Sequence, residues 1–172
     1  MAGIITEYPT FFTATNLLWK RLLEPDKYKL IVTDSLRFLV EKERIILYAF
    51  VIMSNHIHLI WQMRVDIDPK AVQRDFLKYT AQKIKADVKI NDPVFLEEFR
   101  VEAKDRQYQF WERNPLSIGL WTNSVFLQKL DYIHWNPVRA GLCKWPEEYL
   151  YSSARFYETG IDHWGFLAHY KD

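Results

Sequence analysis

Ile45-Ile46-Leu47-Tyr48-Ala49-Phe50-Val51-Ile52-Met53-Ser54-Asn55-His56-Ile57-His58-Leu59-Ile60-Trp61-Gln62-Met63 is the stretch whose reading decides the fold. Residues 45–53 form an almost continuous apolar run, rich in β-branched and aromatic side chains. Such a run reads as a strand buried on both faces. Ser54-Asn55 supplies turn chemistry. Residues 56–63 then read as the antiparallel partner. A strand repeats every two residues, so His56 and His58 point to one face and Ile57 and Leu59 to the other. Two imidazoles side by side can share a divalent metal ion. Taken alone, the pair equally fits a strand with two polar residues on a half-wet face.

Working outward, residues 8–15 alternate weakly and suit a first strand. Residues 27–43 carry Leu30, Ile31, Leu36, Phe38, Leu39 and Val40 at the spacing of an amphipathic helix. Asp68-Pro69 is an N-cap followed by proline at the first helical position. Val72, Phe76, Thr80, Ile84 and Val88 recur every four residues, which predicts a helix over 69–90, ended by Asn91-Asp92-Pro93. Residues 95–102 fit helix or strand. Residues 107–121 read as one or two strands with a turn at Asn114-Pro115.

Asn123 or Ser124 caps a last predicted helix, 125–136, with a core stripe of Phe126, Leu130 and Ile133. Gln128, Tyr132 and Asn136 form a second, polar stripe, because residues four apart share a helical face. Pro137 disfavours helix at Asn136, which places Asn136 at a frayed end with its side chain free to reach a metal. The order strand, helix, strand, strand, helix, strand is the ferredoxin-like βαββαβ arrangement. The expectation is an α+β domain with an antiparallel sheet, plus a C-terminal tyrosine-bearing helix and tail. The histidine pair would lie on a central strand, with the tyrosine helix across the sheet face. With no repeats or linkers, residues 1–172 read as one domain.

Composition narrows the function class. Hydrophobic content of 49% and aromatic content of 16% describe a globular chain. No apolar run is long enough to span a bilayer. The N-terminal residues 1–7 lack the basic and apolar regions of a signal peptide. Cys143, the single cysteine, cannot form an internal disulfide, so the default is a cytoplasmic protein without membrane contact. A net charge of +1 argues against a generic nucleic-acid binder but leaves room for a local basic patch. One lies in 69–90, where Lys70, Arg74 and Lys78 sit four apart on one helical face and are candidates for phosphate contacts. Arg139 and Arg155 are further candidates. His134 is two residues from Tyr132, faces elsewhere on a helix, and is read as structural.

The spaced motifs resemble a known family. Val51-Ile52-Met53-Ser54-Asn55-His56-Ile57-His58-Leu59-Ile60 resembles the HUH motif of single-tyrosine transposases. Tyr132-Ile133-His134-Trp135-Asn136-Pro137-Val138-Arg139-Ala140-Gly141-Leu142 resembles the tyrosine motif of the REP-associated tyrosine transposases. Trp145-Pro146-Glu147-Glu148-Tyr149 and Ser152-Ser153-Ala154-Arg155 resemble that branch's C-terminal signature. The resemblance implies a metal-dependent single-strand DNA endonuclease and strand transferase that acts at hairpins. It implies Tyr132 as nucleophile through a 5′-phosphotyrosine intermediate. It also implies Mg²⁺ or Mn²⁺ held by His56, His58 and Asn136, and a monomer or homodimer bound to hairpin-containing single-stranded DNA. The chain departs from the family at Ser54, where proline is usual, and matches it only loosely over 95–123.

Two other classes stay open. A ferredoxin-like module could bind single-stranded nucleic acid through aromatics on its sheet without cutting it. A histidine-triad hydrolase would need a third histidine at the next alternate position, where this chain has Ile60.

Overall fold

The computed structural model describes residues 7–172. The N-terminal stretch read for a targeting signal therefore lies, up to Thr6, outside the described residues. The elements run β1 (Thr10–Thr15), α1 (Asp26–Glu41), β2 (Ile45–Ile52), β3 (His56–Met63), α2 (Pro69–Asn91), α3 (Pro93–Glu97), β4 (Leu116–Gly119), α4 (Asn123–Arg139) and α5 (Ala154–Thr159). The strands form one sheet in the order β2-β3-β1-β4, with every pairing antiparallel. This is the expected α+β, ferredoxin-like core, and β3 is central.

Strand parity divides the core into two layers. Ile57, Leu59, Trp61 and Met63 of β3 pack with Tyr28, Val32 and Leu36 of α1 and Val72, Phe76 and Ile84 of α2. Ile60 faces the other way, with Phe11 of β1 and Phe126, Leu130 and Ile133 of α4. The predicted α4 stripe is thus the seam against the sheet. In β2 the parity switches. Ile45 and Leu47 face the α1–α2 layer, but so do Phe50 and Ile52. The cause is a register shift against β3 between Leu47 and Ala49, which leaves Tyr48 as an extra residue. The continuous apolar run is therefore buried on both faces.

The free edge of β2 is closed by the C-terminal tail. The Ile52 N–H donates to the Tyr151 carbonyl at 2.9 Å and the Ser153 N–H to the Phe50 carbonyl at 3.0 Å. Ser153 Oγ accepts the Phe50 N–H at 3.0 Å. Both Ser152 and Ser153 are fully buried. The serines act as a short edge partner, which removes the unpaired donors and acceptors an edge strand otherwise exposes.

The structure resolves the readings left open over 95–102 and 107–121 and corrects that of the end of α4. Of residues 95–102, only 95–97 belong to a regular element, the short helix α3, which is opened by the Asp92 carboxylate accepting the Phe95 N–H at 3.0 Å. In 107–121 only Leu116–Gly119 joins the sheet, while Tyr108 and Trp111 make isolated bridges to Arg100 and Asn16. Pro115 has no N–H to donate, and Asn114 has φ 57°, so the chain turns just before β4. Finally, α4 does not fray at Asn136 but runs through Pro137 to Arg139. Pro137 lies so near the end that it costs one helical bond, and the Asn136 carbonyl still accepts the Ala140 N–H at 3.0 Å.

Candidate active site

The sheet register and the α4 seam bring four of the sequence-predicted residues together. His56 and His58 project from β3 on the α4 side, with ring centroids 4.8 Å apart. Tyr132 of α4 lies edge-on to His58, with ring centroids 5.3 Å apart. Asn136, one turn later, places Nδ2 3.4 Å from His56 Nε2. His58 is buried at 5% exposure, whereas Tyr132 is 43% exposed. The cluster is a floor of one buried and one half-buried imidazole with a phenol at its rim. Beside it, a cavity of about 450 Å³ is lined by His56, Asn136, Asn55 and Tyr149.

Each imidazole is oriented by a neighbour. Asn55 Oδ1 accepts from His56 Nδ1 at 2.7 Å, so the proton sits on Nδ1 and Nε2 keeps its lone pair toward Asn136. The Thr13 hydroxyl shares a hydrogen bond of 2.7 Å with His58 Nδ1. Thr13 is the direct β1 partner of His58 in the register. Burial pushes the His56 pKa below its ordinary value, with the Asn136 hydrogen bond opposing in part. Burial also pushes His58 down to about 3, helped by the charges of His56, Lys129 and Arg139. Both rings are thus neutral at pH 7, the form that donates a lone pair to a metal.

Two cations bracket the tyrosine. Arg139 stacks over the Tyr132 ring at 4.7 Å and donates to the Tyr132 carbonyl at 2.6 Å. Lys129 Nζ lies 5.6 Å from the same ring and 4.7 Å from that of Phe11. Neither cation makes an ion pair among the described residues. Lys129 and Thr13 have no role in the sequence reading, and Asn55 has only that of a turn residue. Lys129 was findable at i−3 from Tyr132; Thr13 was not, because only the β1–β3 register places it opposite His58.

The remaining candidates lie elsewhere. Lys70, Arg74 and Lys78 are exposed on α2, in the layer on the opposite side of the sheet from α4. Arg74 pairs with Asp75 at 3.1 Å. Arg74 and Lys78 line a cleft of about 840 Å³ between α2 and residues 105–115, with Lys85, Arg106 and Arg113. Arg155 donates to the Glu147 carbonyl at 3.2 Å and so braces the tail. His134 is buried, shares a 2.8 Å hydrogen bond with Ser153 Oγ, and has its pKa pushed down by burial to about 4.

With this geometry in hand, the solved structures are decisive for the fold. One, of a REP-associated tyrosine transposase bound to a REP hairpin, superposes with a TM-score of 0.67 over 100% of this chain and 92% of its own, at 16% identity. The fold is that of a REP-associated tyrosine transposase. A second match, from Deinococcus radiodurans R1 and provisionally assigned as a transposase, has a TM-score of 0.50. It covers 73% of this chain and 87% of its own at 12% identity. No family model matches the chain, and no curated protein matches it.

The transposase fold also bears on the binding-module alternative. Phe11, Phe12, Phe50 and Trp61 of the sheet are all buried in the two core layers, and the half-buried Tyr48 ring packs edge-on to Phe126 of α4. The sheet therefore presents none of these rings for stacking. Among the described residues no helix is long and apolar enough to cross a membrane.

Proposed function

We propose that this protein is a single-strand DNA endonuclease and strand transferase that acts at hairpins through a covalent phosphotyrosine. The observation that carries the reading is the half-exposed Tyr132 phenol at the rim of the His56–His58–Asn136 cluster, between Lys129 and Arg139, neither of which makes an ion pair among the described residues. Packing does not account for its position, since the α4 seam is Phe126, Leu130 and Ile133. The hairpin carried by the similar transposase supports the same substrate class here.

The donor set fits a divalent ion. Among the described residues no group of three His, Cys, Asp or Glu side chains could hold a metal. The cluster offers instead two neutral imidazoles and one amide, whose oxygen turns inward on a flip of the Asn136 side chain. His56 and His58, with Nδ1 occupied by Asn55 and Thr13, keep Nε2 for a ligand bond. Mg²⁺ or Mn²⁺ bound there would polarise the scissile phosphate and neutralise charge developing on its oxygens.

The chain's own residues do the rest. Lys129 and Arg139 attract the phosphate electrostatically to the Tyr132 face. The Tyr132 oxygen attacks phosphorus and its proton passes to water. The phosphorus–O3′ bond breaks and the leaving oxygen takes up a proton from water, which leaves a free 3′-hydroxyl and a 5′-phosphotyrosine. On the opposite layer, Lys70, Arg74 and Lys78 offer a phosphate-binding stripe for the flanking duplex. Tyr132→Phe tests the reading, because it keeps the ring and deletes the nucleophile. It should bind hairpin DNA as wild type does and form no covalent adduct with Mn²⁺ present. An adduct of undiminished yield would assign the chemistry to another residue.

A further inference from the structure

Trp19 stands 63% exposed beside this cluster, its ring centroid 6.0 Å from that of His56 at 69°. It belongs to a single 3-10 turn, Leu17–Trp19. Leu18 (φ 53°) and Trp19 (φ 57°) both adopt the left-handed region. They are the only consecutive non-glycine pair that does so among the described residues. That conformation is costly for bulky residues and persists only where the surroundings over-determine it.

The surroundings here are specific. Asn16 is fully buried; its N–H donates to the Asn55 carbonyl at 2.8 Å, and its carbonyl accepts the Trp19 N–H at 3.0 Å. Glu112 accepts the Leu18 N–H at 2.6 Å. Asn55 joins the turn to the site, because its Nδ2 donates to the Trp19 carbonyl at 3.2 Å while its Oδ1 orients His56. One amide thus sets both the imidazole and the indole. Strain is spent on holding a large aromatic face in solvent, where it buries little and its indole N–H has no partner among the described residues.

We infer that Trp19 is a stacking platform for a nucleobase of the single strand next to the phosphate held at the His56–His58–Asn136 cluster. An exposed indole stacks on any base, since each has a π-face, so the contact positions the strand without reading its sequence. The inference rests on the single-strand DNA reading above. It adds the residue that sets which phosphate of a flexible strand comes to rest at Tyr132. The four buried sheet aromatics leave this work to an aromatic outside the sheet.

The test compares two twelve-residue probes, oligothymidylate and an abasic strand with the same phosphates, by fluorescence titration at fixed salt. Charge acts equally on both, so the ratio of their affinities reports the bases. Wild type should favour oligothymidylate, and Trp19→Gly should lower that ratio by about 5- to 150-fold, the range for loss of one stacked base. Trp19→Phe should retain most of it. Glycine adopts positive φ freely, so Trp19→Gly should melt no lower than wild type. An unchanged ratio in Trp19→Gly overturns the inference, as does a ratio lost together with a clearly lowered melting temperature, which would make Trp19 a structural residue. The outcome is separable from that of Tyr132→Phe. A base preference lost in Trp19→Gly stands even if no covalent adduct forms, and an adduct can form while the Trp19 preference fails.

Discussion

Replacing Ser153 by alanine removes one oxygen from the point where three elements meet. That oxygen accepts the Phe50 N–H of β2 at 3.0 Å and shares a 2.8 Å hydrogen bond with His134 Nε2 of α4. Phe50 and Ser153 are fully buried and His134 is 8% exposed, so neither orphaned group can turn to solvent. Each buried polar atom left without a partner costs about 1–3 kcal/mol, so the two together predict a loss of about 2–6 kcal/mol. Domains of this kind have about 5–15 kcal/mol in total, so the variant should fold but sit close to the edge. For a chain of this size the loss corresponds to roughly 4–24 °C in melting temperature. Urea unfolding followed by tryptophan fluorescence measures it, with an unchanged slope expected because the surface exposed on unfolding is the same. A loss below about 0.5 kcal/mol, the range of an ordinary surface change, would refute the claim that this hydroxyl ties α4 to the edge of β2.

The remaining predictions address charge, metal and DNA. Thr13→Val keeps the strand and deletes the hydroxyl on His58 Nδ1; Mn²⁺ affinity should fall about 10- to 100-fold, and an isothermal titration matching wild type would remove Thr13 from the site. His134 is held near 4 by burial, against an ordinary value near 6.5 when unfolded. The unfolded chain therefore takes up the proton first as pH falls, and the native state loses stability between 6.5 and 4, with none of the cost above 7. At pH 5 the loss from this group is about 2 kcal/mol relative to pH 7.5, and wild type should lose that much more than His134→Gln; equal losses would show that His134 does not titrate as its burial requires. Replacing Lys70, Arg74 and Lys78 by glutamine should weaken hairpin binding and flatten its salt dependence, whereas an unaltered salt slope would leave them as solvated charges.

The local patterns were legible because they depend on neighbours in sequence. The four-residue recurrence of Val72, Phe76, Thr80, Ile84 and Val88 is a helix wherever it packs, and the structure places all five on the buried face of α2. The two-residue spacing puts His56 and His58 on one face in any strand, and the four- and three-residue spacings put Phe126, Leu130 and Ile133 on one seam in any helix. The order of elements then allowed few topologies, of which the ferredoxin-like one is realised. Tertiary structure decided what sits between elements. The bulge at Tyr48 flips the parity of β2, which a uniformly apolar run cannot announce. Pro137 predicts a helix end by its own chemistry, yet packing of the last turn carries α4 to Arg139. Thr13 reaches His58 only through cross-strand register, and Ser153 reaches His134 only because the tail returns along β2. The strained Trp19 turn depends on contacts from Asn16, Asn55 and Glu112. Sequence periodicity reports which face a residue occupies, while the identity of what meets that face depends on chain segments about twenty to more than a hundred residues away, brought there by burial of the two core layers.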